Sequence, residues 1–274
     1  MIDCARMSTS LSDLDRAGPG RDLAAARRQR LLAVVDARRA VRLEELAGAL
    51  GVSPATVRRD LNALAALGRL RRVHGGAVAI DARLDEPHFE AKAAAAAAEK
   101  ERIAAAALEL LGPEDTVYLD SGSTVLALAR LLHGWDRLTV VTNSLPVAFE
   151  LLGRGPRCIV VGGEVRARSR AIVGPLTRLL LSELWVDRAI MGTFALSLED
   201  GLTTTDPAEA YTKSLVMTRA REVILLADHT KLGSRSFARA GALADVDVLV
   251  TDAGIDERSR RALARRGIRV VVAR

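Results

Sequence analysis

From Thr116 onward, short apolar runs alternate with amphipathic stretches, and this alternation leaves few folds open. The runs are TVYLD (116–120), LTVVT (138–142), RCIVVG (157–162), DRAIMG (187–192), EVILLAD (222–228), VDVLVTD (246–252) and IRVVVA (268–273). Stretches with helical spacing separate most of them, at 123–133, 145–153, 174–184, 206–220 and 256–266. Nearly continuous apolar strands are those covered by helices on both faces. The pattern therefore predicts a doubly wound, mostly parallel α/β sheet. Aromatic residues make up only 3% of the chain against 49% apolar, so the core has to be built from Leu, Val, Ile and Ala. No repeat of fixed period is visible.

The charge is distributed unevenly. Residues 21–80 hold 12 Arg against 5 acids, whereas residues 81–274 hold 26 basic and 26 acidic side chains. The whole excess behind a formal net charge of +6 and a pI near 10.0 thus sits in one N-terminal block. Arg concentrated in this way is an electrostatic footprint for a polyanion, with a solvated basic surface as the plainer alternative.

The same block has a legible order. AAARRQRLLAVVDARR predicts a helix burying Leu31, Leu32, Val34 and Val35, and RLEELAGAL a second one, broken by Gly51. VSPATVRRDLNALAALG predicts a third, with Ser53 as its cap, Pro54 at its first position and Gly68 as its stop. RLRRVHGGAVAI then reads as a hairpin around Gly75 and Gly76. Three helices and a trailing hairpin describe a winged helix-turn-helix; a bundle used only for packing is the alternative. In the first reading the third helix enters the major groove of double-stranded DNA. Ser53, Pro54, Ala55 and Thr56 form its leading turn, and Arg58 and Arg59 lie on or near its exposed face. Leu61, Leu64 and Leu67 point inward, while Arg69, Arg71 and Arg72, with His74 at the tip, hold the adjacent backbone.

The pieces S-x-x-T-V-R-R-D-L (Ser53 to Leu61) and R-V-H-G-G-A (Arg72 to Ala77) carry a resemblance to the N-terminal domain of the DeoR family of bacterial transcriptional regulators. The resemblance runs on through LDSGST, VVTNSLPVA, VVGGEVR, GLTTTDPAEAYTK and LLADHTKLG, which resemble the sensor domain of that family.

Read from its residues, DSGST (Asp120 to Thr124) is a strand end, a turn at Gly122 and a helix start. Its backbone N–H groups, the hydroxyls of Ser121, Ser123 and Thr124, and the positive end of the next helix suit a phosphate, although Ser/Gly loops also serve as plain turns. Ligands of doubly wound sheets bind beyond the carboxyl ends of the strands. Other polar groups falling at such ends are Thr142, Asn143 and Ser144, then Gly162, Gly163 and Glu164, then Gly192 and Thr193, and finally Asp228 and Lys231. Asp206, Glu209 and Lys213 stand at the entry of a further helix, where Glu209 and Lys213 also read as an i,i+4 surface ion pair. Only four of the forty basic residues are lysines: Lys92, Lys100, Lys213 and Lys231. A compact ammonium suits a phosphate or sugar oxygen in a tight pocket, and chance is the alternative.

The family resemblance implies a sensor domain related in fold to ribose-5-phosphate isomerase and glucosamine-6-phosphate deaminase, with a phosphorylated sugar or related metabolite as effector. It places Ser121, Gly122, Ser123 and Thr124 at the phosphate and Lys231 near the ligand. The family usually has Thr where Ser123 stands, which keeps the hydroxyl.

The expected organisation is a tail over 1–20, a winged helix-turn-helix over 21–80, a linker over 81–98 and the sensor domain over 99–274. Met7 is an alternative start to Met1. The expected function is a DNA-binding regulator, a repressor by resemblance. It is expected to act as a homo-oligomer, dimer or tetramer, because symmetric half-sites need two reading heads. A sugar-phosphate isomerase or deaminase with a fused DNA-binding module is the alternative; Asp120, Asp206 or Glu209 would supply its base, and His229 shows no partner. No cofactor and no metal are expected, since the four histidines are scattered. Cys4 and Cys158 make no disulfide framework. No apolar run reaches the roughly 18 residues of a membrane span, and no signal core is visible, so the cytoplasm is the expected compartment.

Overall fold

The computed structural model describes residues 24–38, 40–66, 69–73, 75–79 and 86–274, which fall into two units, residues 1–80 and 81–274. The tail expected over 1–20 lies outside the described residues, as do Leu67, Gly68 and His74.

The first unit contains α1 (Ala24–Arg38), β1 (Ala40–Arg42), α2 (Leu43–Leu50), α3 (Pro54–Ala66), β2 (Leu70–Val73) and β3 (Gly76–Ala79). Gly51 ends α2 in the left-handed region at φ 64, and its N–H closes on the Ala47 and Gly48 carbonyls. Ser53 starts α3: its Oγ accepts from the Thr56 N–H at 3.2 Å. Val57, Leu61 and Leu64 recur at helical spacing and pack with Leu31, Val35, Leu46 and Leu70. Leu32 and Val34 sit at the margin of that cluster. The hairpin β2–β3 gains an unforeseen third strand, since β1 pairs antiparallel with β3. A Cβ on Gly76 would come within 2.3 Å of the Val41 carbonyl oxygen, so this close approach requires glycine.

The second unit opens with α4 (Phe89–Ala94) and α5 (Ala97–Leu108). Then follow β4 (Thr116–Leu119), α6 (Ser123–Arg130), β5 (Thr139–Thr142), α7 (Leu145–Leu151), β6 (Arg157–Val160), β7 (Glu164–Arg166) and β8 (Ala171–Val173). After these come α8 (Arg178–Leu181), β9 (Val186–Gly192), β10 (Ala195–Ser197), β11 (Gly201–Thr204), α9 (Pro207–Met217) and β12 (Ala220–Leu226). The chain ends with β13 (Ala238–Gly241), β14 (Val248–Asp252), α10 (Glu257–Ala264) and β15 (Arg269–Ala273). Seven strands form one parallel sheet in the order β15-β14-β12-β9-β4-β5-β6, and they are the seven apolar runs of the sequence. Alternate residues feed two cores: Val117, Leu119, Ile190 and Ile224 face one side, and Tyr118, Ala189, Met191 and Val223 the other. The pairs β7–β8 and β10–β11–β13 are antiparallel additions.

The chain leaves β4 toward β5 and β6 and returns to β9 on the other side of β4. The strand order therefore reverses between β4 and β9, the place where open α/β sheets bind ligands.

The connector expected over 81–98 does not extend through residues 86–98. Phe89 is 5% exposed and belongs to the core of the sheet, and Glu86 is buried. The polar stretch around Pro87 reads as a linker because two of the partners of Glu86 lie far along the chain, at Arg166 and Thr205.

Candidate functional site

The leading turn of α3 stands at the surface of the first unit. Ser53, Pro54, Ala55, Arg58 and Arg59 are exposed and Thr56 is half-buried. Arg58 and Arg59 make no ion pair among the described residues, which leaves both guanidinium groups available to phosphates or base edges. Arg69 is exposed as well. Arg72 is half-buried and donates to Asn62 Oδ1 at 2.6 Å, which ties the hairpin to α3. The side chain of Arg71 and all of His74 lie outside the described residues. Asp60, on the inner face of α3, is buried against α1, with Arg27 Nε at 2.5 Å and Arg28 Nε at 3.0 Å. Burial opposes its charge, but the two guanidinium groups prevail and hold its pKa below the ordinary carboxylate value.

In the second unit a pocket lies at the reversal between β4 and β9, beyond the carboxyl ends of β4, β9 and β12. Ser121, Gly122, Ser123 and Thr124 form one wall, with Gly192 and Thr193 beside them and Asp228 and Lys231 after β12. Gly122 takes φ 141, and a Cβ there would meet no atom within 4 Å, so the glycine is required by the backbone turn alone. The following helix, α6, presents its first N–H groups at this wall.

A chain of alternating charges runs beneath the pocket. Asp120 is 0% exposed; its Oδ2 accepts from the Gly192 N–H at 2.9 Å and from the Lys213 ammonium. Lys213 is 2% exposed, donates to the Gly192 carbonyl at 3.1 Å and lies 3.7 Å from Glu209. Glu209 Oε2 pairs with Arg166 at 3.2 Å, and Arg166 pairs with Glu86 at 2.5 Å. Glu86 also binds the Lys92 ammonium and accepts from Thr205 Oγ1 at 2.9 Å. The surface ion pair expected of Glu209 and Lys213 is thus a buried one. Burial raises the pKa of Glu209, with Lys213 working against the rise. Burial disfavours the ammonium of Lys213, but Asp120 and Glu209 outweigh it and its pKa is raised. Burial likewise opposes the charge of Glu86, yet Lys92 and Arg166 lower its pKa.

All four lysines of the chain line this one pocket. Lys213 and Lys231 were expected there from the sequence; Lys92 and Lys100 were not, although the scarcity of Lys marked them equally. Lys100 donates to the Lys92 and Ala95 carbonyls, and burial brings its pKa down to about 8. Lys231 lies 5.8 Å from the centre of the Phe194 ring. Glu86 and Arg166 were also missed, because no local pattern announces an ion pair across 80 residues of chain. Six buried side-chain oxygens have no partner among the described residues, and two of them, Oδ1 of Asp120 and Oγ of the pocket residue Ser169, lie beneath or in the wall of the pocket. Such groups are rare in packed interiors and mark a place for polar company.

Four expected site residues stand elsewhere. Asn143 donates from Nδ2 to the Ile172 carbonyl at 3.0 Å and accepts the Ile172 N–H at 2.7 Å on its own carbonyl, so it fastens β8. Gly162 and Gly163 are exposed after β6, the edge strand, two places from β4 in the sheet. Gly163 has φ 153, and its absent Cβ leaves room for Ile172. Asp206 caps α9, accepting from the Ala208 and Glu209 N–H groups at 2.9 and 3.0 Å, and bonds Arg166. His229, read as unpartnered, pairs through Nδ1 with Asp252 at 2.8 Å, outside the pocket lining. Among the described residues no cluster could hold a metal ion. No described helix is long and apolar enough to cross a membrane.

Comparison with known proteins agrees in both units. The family model described as "DeoR-like helix-turn-helix domain" matches residues 27–83, and the "DeoR C terminal sensor domain" matches residues 95–253. The HTH-type transcriptional regulator GlpR of Haloferax volcanii is 35% identical over 249 residues, 91% of this chain and 98% of its own. The glycerol-3-phosphate regulon repressor of Escherichia coli is 36% identical over 214 residues, 78% of this chain and 84% of its own. The transcriptional repressor AccR of Agrobacterium fabrum is 35% identical over 205 residues, 74% of this chain and 80% of its own. These relatives are transcriptional regulators, not enzymes. Among solved structures, ribose-5-phosphate isomerase A of Methanocaldococcus jannaschii aligns at a TM-score of 0.37 and 19% identity. The alignment spans 48% of this chain and about half (53%) of the isomerase, and nothing further rests on it.

Proposed function

We propose, from the premise that this chain belongs to the DeoR family of helix-turn-helix transcriptional regulators, that it is a repressor controlled by a small phosphorylated metabolite. The metabolite is of the phosphosugar or glycerol phosphate class. The observation that carries the effector reading is the convergence of every lysine in an Arg-rich chain on one pocket. In that pocket a glycine turn and the start of α6 offer N–H groups, and Ser121, Ser123 and Thr124 offer hydroxyls. The Escherichia coli relative is a repressor of the glycerol-3-phosphate regulon, which fits a pocket built for one phosphate and a few hydroxyls.

In this reading α3 enters the major groove with Ser53 to Thr56 leading, and Arg58, Arg59 and Arg69 carry the phosphate and base-edge contacts. Two copies read symmetric half-sites, so the working form is a homo-oligomer in the cytoplasm. Ser121 to Thr124 take the phosphate, Lys231 and Lys92 neutralise it, and Lys213 holds Asp120 toward the ligand. The metabolite alters DNA affinity only as far as it binds the two states of the protein differently.

A thermal-shift screen of phosphorylated metabolites beside their unphosphorylated counterparts tests the reading. The expected result is stabilisation by one or more phosphorylated compounds and none by their counterparts, with the same compounds changing operator affinity. Stabilisation by neither set, or by both alike, removes the phosphate from the account.

A further inference from the structure

Residues 93–98 are six consecutive alanines, the strongest helix formers in the chain, yet the helix breaks in their midst. Ala95 leaves α4 with ψ 132, and Ala96 lies in the left-handed region at φ 50 and ψ 42. Of the described residues only Ala96 and Arg170 take a positive φ without being glycine. Left-handed alanine is disfavoured by its own Cβ, so something outside the alanine run holds the break.

What holds it lines the pocket. In a continuous helix the Lys92 carbonyl would accept from the Ala96 N–H, and the Ala95 carbonyl from the Glu99 N–H. Here the Lys100 ammonium donates to both carbonyls instead. Ser123 Oγ, in the glycine turn, adds a longer bond of 3.4 Å to the Lys92 carbonyl. Glu86 binds the Lys92 ammonium, and Phe89 sits in the core under Arg170, 5.5 Å away. Lys92, Lys100, Ser123 and Glu86 all face the pocket.

We propose that the α4–α5 break at Ala96 is a two-position joint, held bent by Lys100, Ser123 and Glu86, which a bound phosphate releases by drawing their donors to itself. This rests on the phosphate reading of the pocket. An anion there competes for the Lys100 ammonium and the Ser123 hydroxyl, and it offers Lys92 a second partner besides Glu86. The two carbonyls then lose their donors, and closing the alanine run into one helix is the nearest way to satisfy them again. Phe89 and the Glu86 ion pairs weight the bent position; helix propensity weights the straight one. Segment 86–94 contains the first described residues after the DNA-binding unit along the chain, so straightening redirects the stretch that leads to it. The lowered pKa of Lys100 agrees with an ammonium whose charge is weakly supported until an anion arrives.

Hydrogen exchange of the full chain, read at the Ala96 and Glu99 amides, tests this. Lys100→Met removes the donor without ligand and is expected to slow exchange at both amides by roughly tenfold, as they enter a helix. Ala96→Val, which penalises the left-handed position more heavily, is expected to act in the same direction and serves as the second variant should Lys100→Met not fold. Ala96→Gly favours the bend; its ligand-free DNA affinity should match the parent, and more glycerol 3-phosphate should be needed for the same protection. Unchanged exchange in the folded Lys100→Met or Ala96→Val chain overturns the joint. In the parent chain, glycerol 3-phosphate and inorganic phosphate are expected to bring the same slowing. A phosphate compound that raises the melting temperature but leaves these amides unchanged overturns the coupling. Compounds that do neither overturn the coupling through its premise, the phosphate reading, while the two variants still decide whether the joint exists.

Discussion

Arg58 and Arg59 stand exposed on α3 with no ion pair among the described residues, whereas Lys213 lies buried in the other unit between Asp120 and Glu209. Both regions are basic, and both suit an anion, but by different physics. Exposed guanidinium groups keep their hydration and gain from releasing counterions when they meet a long polyanion. Buried ammonium groups need carboxylates to remain charged at all, so their positions are fixed before any ligand arrives. One surface tolerates the loss of a contact; the other is a framework in which each charge supports the next.

The comparison is broken most severely at Lys213. Lys213→Met leaves Asp120 buried without its cation, and the expected cost is about 3–5 kcal/mol, read as a lower melting transition of the sensor unit. Operator affinity of the folded fraction should barely change. The reverse outcome is expected of Arg58→Ala with Arg59→Ala. Operator affinity should fall by roughly 1–3 kcal/mol per base-contacting Arg, with a shallower dependence on salt, while thermal stability stays the same. Asp60→Asn probes a framework-like charge in the DNA-binding unit, and it should lower that unit's stability by about 1–3 kcal/mol. Because the pKa of Asp60 is lowered by folding, its contribution is complete above the ordinary value of 3.8 and is lost as pH falls through the folded value. Acid titration of unfolding in parent and Asn variant should therefore converge at low pH. The smallest change is Ser123→Ala, expected to weaken binding of a phosphorylated ligand by up to about tenfold, with Ser123→Thr near the parent.

Periodicity and caps explain what was legible. The seven apolar runs became the seven parallel strands; the five inner ones are largely buried on both faces and the edge strands β6 and β15 only in part, and Ser53 and Asp206 announced the starts of α3 and α9. Strands of three residues, such as β1, β7 and β10, are too short for alternation to show. Strand order is invisible to local pattern. That is why Gly162 and Gly163, beyond the edge strand β6, were grouped with a pocket formed near β4 and β9. Glu86 and Arg166 were hidden for a related reason: each is an ordinary charged residue until the fold brings them to 2.5 Å. The lysines were the exception, a compositional rarity that pointed to the site without any geometry, and it applied to Lys92 and Lys100 as much as to Lys213 and Lys231.

The central claim, that the lysine-lined turn is where a phosphorylated metabolite is held, is met most directly by a crystal structure of the full chain. The crystals would be grown with the compound that gives the largest thermal shift. The account places its phosphate on the N–H groups and hydroxyls of Ser121 to Thr124, within reach of Lys231 and Lys92. A phosphate ordered at any other place, with that turn left to the protein alone, contradicts it.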